Sequence, residues 1–132
     1  MIVSDIFELT ILDVIDRNVP NKERIVLIAN ETINLGRYGI MIGVRGQENS
    51  AIPIKDNLLW FGDGIINKNE YLFIYTGPGE SRIATLPNNL EKLYTIHWGR
   101  DKTIFYNTEF VPILFRIDAV RVPGSTRYLP TY

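Results

Sequence analysis

The chain has 132 residues, of which 45% are hydrophobic and 22% are charged. This length and composition fit one globular domain with its own hydrophobic core, so we interpret residues 1–132 as a single domain. The formal net charge is −1, and the basic residues are scattered along the chain. DNA-binding domains usually carry a basic face that neutralises phosphates, so this charge distribution argues against general nucleic-acid binding.

The chain contains no cysteine. Disulfides, thiolate nucleophiles and cysteine-ligated zinc or iron–sulfur sites are therefore excluded. The segment Met1–Asp5 lacks the basic and apolar regions of a signal peptide, and no apolar run approaches the roughly 20 residues that cross a bilayer. We expect a cytoplasmic protein without a membrane span, while an excised domain of a secreted protein would have the same features.

Most of the chain alternates between apolar and polar residues, which is the period of a β-strand. The first predicted strand lies within Phe7–Ile15, and the second is the β-branched run Arg24–Ala29, bounded by turn residues. Tyr38–Val44 follows, punctuated by glycines that suggest bulges or close backbone approach. Later strands are predicted at Leu58–Phe61, Glu70–Tyr75, Leu93–Trp98, Thr103–Tyr106, Phe110–Ile117 and Ala119–Val122.

Turn residues separate these strands. Gly62-Asp63-Gly64 forms a compact turn signal, and Thr76–Glu80 ends its strand because two glycines around a proline cannot continue a ladder. Residues 86–93 favour a short helical turn, and the tail of about residues 123–132 is expected to be frayed. Eight or nine short strands without a helical period predict an all-β fold, either a β-sandwich or a barrel.

Seven segments, in chain order, follow a pattern that is known from one domain family. The pattern has a strand that ends in asparagine, a short loop to an aromatic residue, an aromatic strand with a glycine turn, and a strand that ends near Thr-Gly. A Trp-Gly step, an aromatic-Asn pair and an alternating apolar strand complete it. The segments are Ile25–Asn30, Ile33–Tyr38, Leu59–Gly64, Glu70–Gly77, His97–Gly99, Phe105–Asn107 and Val111–Phe115.

These segments, spread over about residues 5–120, resemble the lamin-tail domain. The resemblance implies an immunoglobulin-like β-sandwich of about eight to nine short strands. It also implies a non-enzymatic module that binds proteins, or sometimes DNA or membranes, and it carries over no catalytic residues. The chain departs from the family pattern at Arg24, where an acid is common, and at Arg37 and Tyr38, which replace glycine and tryptophan.

His97 is the single histidine of the chain. A hydrolase would need a nucleophile, a base and an orienting acid within hydrogen-bond reach, and no serine of the chain lies in a G-x-S-x-G elbow. His97 with Asp101 or Glu109 is the remaining hydrolytic alternative. The favoured interpretation is a partly exposed histidine near a turn, so we expect no catalytic site and no enzyme.

Neither a cofactor nor a metal site is expected. The glycines do not have the spacing of a P-loop or a dinucleotide-binding turn, and one histidine cannot form a multi-histidine site. Oxygen atoms from Asp56, Asn57, Asp63 and Asn67 could surround calcium, but the spacing of an EF-hand loop is missing.

The aromatic residues are the better candidates for binding. Trp60 is interpreted as a core residue between two sheets, whereas Trp98 near a strand end is interpreted as a surface residue that could anchor a partner. The apolar tail could mediate self-association. The predicted binding residues are His97, Trp98, Arg100, Tyr94, Tyr128 and Tyr132.

The leading hypothesis is therefore an interaction module that binds a protein partner or a second copy of itself. Free sheet edges would allow strand addition. The first alternative is a carbohydrate-binding β-sandwich that uses Trp98, Tyr94 and nearby polar residues, and it requires an aromatic platform open to solvent. The second alternative is the small hydrolase built around His97.

Overall fold

The structure is a computed structural model that describes residues 5–80, 82–85 and 92–124. The described chain is all-β, as the alternation predicted, and its helical content is the three-residue 3-10 turn Leu35–Arg37. The strands are β1 (Leu9–Ile15), β2 (Arg24–Ala29), β3 (Ile33–Asn34), β4 (Tyr38–Arg45), β5 (Ala51–Trp60), β6 (Ile65–Ile66), β7 (Tyr71–Tyr75), β8 (Arg82–Thr85), β9 (Lys92–His97) and β10 (Phe110–Arg116).

These strands form three sheets. The larger sheet has five strands in the order β1-β2-β7-β9-β8, and the smaller sheet has three strands in the order β10-β4-β5. The short strands β3 and β6 form a separate pair. All neighbouring strands are antiparallel except β7 and β9, which run parallel.

The larger and the smaller sheet both contribute side chains to one hydrophobic core. Alternate residues of β2 and β7, such as Ile25, Leu27 and Leu72, are fully buried in the same cluster as Ile40 and Ile42 of β4. The period of two places these residues on one face of each strand. Two sheets that share one core are consistent with a β-sandwich.

Several strand predictions need correction. The described residues contain ten strands instead of eight or nine, and three of the ten, β3, β6 and β8, were not predicted because they are only two to four residues long. The predicted strands at Thr103–Tyr106 and Ala119–Val122 are irregular segments instead. The strand predicted at Leu58–Phe61 is the end of the longer β5, whose first part contains Pro53 and polar residues that obscure its period. The predicted helical turn at residues 86–93 falls mostly outside the described residues, as does most of the tail from residue 123 onward.

One end of the fold is organised by a buried carboxylate that sequence reasoning did not single out. Glu23 is 1% exposed. Its Oε1 accepts hydrogen bonds from Thr76 Oγ1 (2.8 Å) and the Ile104 amide (2.7 Å), and its Oε2 accepts from the amides of Asn18 (2.7 Å) and Phe105 (3.1 Å). One side chain therefore joins three loops that are far apart in the sequence.

We expect Glu23→Ala to lower the free energy of unfolding by about 3 kcal/mol or more, because it leaves several buried donors without an acceptor. Urea titration followed by circular dichroism measures this loss. Glu48→Ala, at an exposed turn, is the matched control and should change the free energy by no more than about 0.5 kcal/mol. Equal stability of the two variants would contradict this role of Glu23.

Candidate functional site

The predicted binding residues in and directly after β9 lie on opposite faces of the larger sheet. Tyr94 and Trp98 pack against the core. His97, whose backbone pairs with Tyr75, points to the outer face, where the two rings stack with centroids 5.0 Å apart and planes 11° apart. The structure therefore does not bring His97 together with Tyr94 and Trp98.

The surroundings of these residues are largely filled by the protein itself. A methyl group on Gly79 would overlap the imidazole of His97, so the loop after β7 lies against this ring. The guanidinium of Arg100 lies 5.8 Å from the centre of the Trp98 ring. The Tyr94 hydroxyl donates to the carbonyl of Ile65, and burial together with the negative charge of Glu70 raises the Tyr94 pKa.

The remaining predicted site residues do not extend this group. Asp101 and Glu109, the proposed acidic partners of His97 in a hydrolase, are exposed. Tyr128 and Tyr132 lie outside the described residues. Among the residues that the structure describes, no three His, Cys, Asp or Glu side chains come together in a way that could hold a metal ion.

The outer face of the larger sheet is covered by its own side chains. The guanidinium of Arg24 lies 5.5 Å from the centre of the Phe73 ring and 5.7 Å from that of Tyr75. Asp16 fixes this arginine through a 3.0 Å ion pair. A cation held over aromatic rings satisfies their electron-rich faces within the protein, so this sheet offers little unoccupied aromatic surface.

The outer face of the smaller sheet is different, and sequence reasoning missed it. Because Ile40 and Ile42 point into the core, Gly39, Met41 and Gly43 of β4 point outward. The strand register places two neighbours beside each of them, one from β5 and one from β10. We call this surface the apolar face; its members are Gly39, Met41, Gly43, Pro53, Leu58, Trp60, Val111, Ile113 and Phe115.

Glycines on the middle strand shape the apolar face. A methyl group on Gly39 would overlap the ring of Phe115, and one on Gly43 would overlap the end of Ile113. The β10 side chains therefore lie flat over β4, because glycine leaves room for them. Leu58 and Trp60 of β5 instead stand out into solvent, with exposed fractions of 58% and 50%.

The core position predicted for Trp60 is therefore wrong. Its indole lies on the apolar face, and its Nε1 donates a 2.7 Å hydrogen bond to the carbonyl of Gly36. This bond holds one edge of the ring while leaving half of its surface open. A satisfied N–H and an exposed apolar ring are typical of aromatic residues that anchor interfaces.

A broad open cleft of about 1150 Å³ runs along β10. Met41, Ile113 and Phe115 of the apolar face line it, and Ile11 and Val14 of β1 border it on the side of the larger sheet. The cleft reaches β5 at Ala51 and Pro53, but Leu58 and Trp60, in the last part of that strand, lie outside it. The smaller sheet thus carries a recess along β10 and a protrusion in the last part of β5.

Both edges of the smaller sheet are partly blocked against strand addition. The bonds from Arg45 N to Glu109 O and from Ile117 N to Arg37 O indicate that odd-numbered residues of β10 pair with β4. Even-numbered residues therefore face the free edge, where Pro112 has no N–H to donate.

The carbonyl of Phe110, also at this edge, already accepts a 3.3 Å hydrogen bond from Arg17 Nη1. At the other edge, β5 contains Pro53 and a bulge of residues 54–57 opposite Ile42. The bulge carries Lys55 and an Asp56 with φ of +60°. Proline, lysine and bulges are devices that protect sheet edges from pairing, so binding through the face is favoured over binding through an edge.

An ionic network ties the two sheets together beside the cleft. Arg116 of β10 pairs with Glu8, just before β1, at 3.1 Å, and with Asp118 at 2.9 Å. Asp118 also pairs with Arg37 at 3.0 Å. The Tyr38 hydroxyl is hydrogen-bonded to Glu8, and burial followed by the negative charge of Glu8 raises the Tyr38 pKa above its ordinary value of 10.0.

Comparison of the chain with protein-family models, curated proteins and solved structures found no match. Within the described ranges, no helix is long and apolar enough to cross a membrane.

We expect stability to decrease as the pH rises above about 10, because the unfolded chain then loses the Tyr38 proton more readily than the folded state does. Below about pH 10 both states keep this proton, and the effect disappears. Tyr38→Phe should show a smaller alkaline loss in urea titrations at about pH 9 and pH 11. Tyr106→Phe, at an exposed site, is the control, and an unchanged loss in Tyr38→Phe would contradict the expectation.

The two tryptophans should differ in solvent access. We expect the Trp98→Phe variant, which reports Trp60, to show red-shifted emission and stronger acrylamide quenching than the Trp60→Phe variant, which reports Trp98. Measurement at low protein concentration separates ring exposure from any association. Stronger quenching of Trp98 would place the open indole on the other sheet and would move the candidate site there.

Proposed function

We propose that this chain is a non-enzymatic interaction module that binds a protein partner, or a second copy of itself, through the apolar face. The observation that carries the proposal is that one outer sheet face consists of apolar side chains, two of which, Leu58 and Trp60, are at least half exposed. Covering water-exposed apolar surface with a partner lowers the free energy of the system.

We further propose that the fold is an immunoglobulin-like β-sandwich resembling the lamin-tail domain. Sheets of five and three strands around one core support this assignment. The parallel pairing of β7 with β9 is a departure from the antiparallel sheets of immunoglobulin domains. The resemblance to the lamin-tail domain implies a module that acts by presenting a surface to a partner.

The distribution of apolar surface supports binding through this face in preference to the β9 residues. Tyr94 and Trp98 pack inward, and Arg100 lies over Trp98. Trp60, in contrast, combines a fixed orientation with an open ring. Interface anchors are commonly aromatic side chains of this kind, held in place before the partner arrives.

The test uses three tagged baits: the natural chain, Leu58→Asp and Ile65→Asp. Ile65 lies on the separate β3–β6 pair and is 53% exposed, which matches Leu58. Untagged natural chain is added to an extract of the native cell, and the extract is passed over each bait. We expect the natural chain and Ile65→Asp to retain the same proteins, which include the untagged chain, whereas Leu58→Asp does not retain them. Each retained protein is then purified and its affinity for the three baits is measured.

Retention of the same proteins by all three baits, or of none by any, would contradict the proposal. A glycan-array signal that survives Leu58→Asp and disappears in Trp98→Ala would instead support the carbohydrate-binding alternative. Circular dichroism of the baits confirms that a lost interaction does not reflect a lost fold.

A further inference from the structure

We infer that the partner of the apolar face is a second copy of this chain, bound across a two-fold axis so that Leu58 and Trp60 of each copy enter the cleft along β10 of the other. The inference rests on the proposed function and identifies its partner. Its support is the shape, the charge and the size of the face.

The shape of the face suits an isologous contact. The cleft runs along β10 and reaches β5 at Ala51 and Pro53, whereas the protruding pair lies in the last part of β5, across the middle strand from Ile113 and Phe115. A two-fold axis that lies in the interface, parallel to β4 and over Met41, places the β5 side of each copy opposite the β10 side of the other, so each protrusion meets a recess. In such an interface each contact occurs twice. Another partner would need to carry both features independently, whereas a second copy carries both by symmetry.

The charges around the face have opposite signs on its two sides. Arg45 lines the cleft and forms no ion pair within the described residues. Arg17 and Asp13 also line it, while the cleft residues Arg116 and Asp118 neutralise each other. These groups leave the cleft side with a net positive charge.

The protruding side has a net negative charge. Asp63 lies against Gly36, whose carbonyl holds the Trp60 indole, and the bulge before Leu58 adds Asp56 and Lys55. Two acids and one base thus surround the protrusion. The two-fold contact would bring this side to the basic cleft of the other copy, which favours association at low salt.

The size of the face indicates the class of interface that it can form. Three strands about 4.8 Å apart and roughly 25 Å long give a planar area of about 350 Å² on each copy. With the rims included, two copies bury on the order of 1,000 Å² in total, which is the range of weak and transient interfaces. We therefore expect a reversible dimer in exchange with the monomer.

Sedimentation velocity of the untagged natural chain, from low micromolar to millimolar concentration, tests the inference. We expect a concentration-dependent shift from monomer to dimer mass, with no larger species, because a two-fold contact closes on itself. Higher salt should shift the equilibrium toward the monomer. A monomer at every concentration, or an open-ended series of oligomers, would overturn the inference.

Variants locate the contact. Leu58→Asp and Trp60→Asp should each raise the dimer dissociation constant by roughly tenfold or more, and Arg45→Glu should raise it by a smaller factor. Ile65→Asp is the matched control and should leave the constant unchanged. A dimer that resists both Leu58→Asp and Trp60→Asp would be formed through another surface.

The lack of cysteine in the chain allows the arrangement to be tested directly. We expect a mixture of the Leu58→Cys and Ile113→Cys variants to form mixed disulfides between copies faster than either variant forms disulfides alone. Predominant Leu58-to-Leu58 disulfides would overturn the proposed arrangement of protrusion in cleft.

The two proposals fail differently. The chain could be strictly monomeric while the natural bait retains a different protein that the Leu58→Asp bait does not retain. That result would overturn the two-copy inference but would still support the interaction module. A monomeric chain with no Leu58-dependent binding would overturn both.

Discussion

The core and the apolar face both depend on β4, the middle strand of the smaller sheet. Ile40 and Ile42 on its inner side fill the core between the sheets. Gly39 and Gly43 on its outer side leave space that Phe115 and Ile113 occupy. Since neighbouring residues of a strand point to opposite faces, one eight-residue segment determines both the packing of the interior and the flat apolar surface outside.

The outer faces of the two sheets differ in how far their apolar side chains are covered. On the larger sheet, Arg24 lies over aromatic rings and Asp16 holds it there. On the smaller sheet no such cover exists within the described residues, and Leu58 and Trp60 remain in water. Where the chain covers its own aromatic rings, a partner would bury little additional apolar surface and would bind with little favourable free energy. This difference favours the smaller sheet as the binding surface.

Rigidity comes from polar contacts at two places, one at an end of the fold and one beside the cleft. The Glu23 carboxylate joins three loops at one end of the fold, and the network of Glu8, Arg116 and Asp118 links the sheets beside the cleft. Buried hydrogen bonds to a carboxylate are directional and costly to leave unmade. A surface held by such contacts loses little conformational entropy when it binds, which improves affinity for a given area.

The sequence by itself determined the all-β class and most strands, because apolar alternation and turn residues act locally: Arg24–Ala29 was predicted at its observed bounds, and Tyr38–Val44 one residue short. It did not determine which side of each strand faces water. The run from Tyr38 to Val44 has apolar or glycine residues on both sides, so its period is uninformative. Trp60 was assigned to the core because a tryptophan often lies between the sheets of a β-sandwich. Only the tertiary structure decided that Trp60 is open, that Glu23 meets donors from two distant loops as well as its own, and that a recess and a protrusion share one face. Each of these depends on segments that meet across long sequence separations.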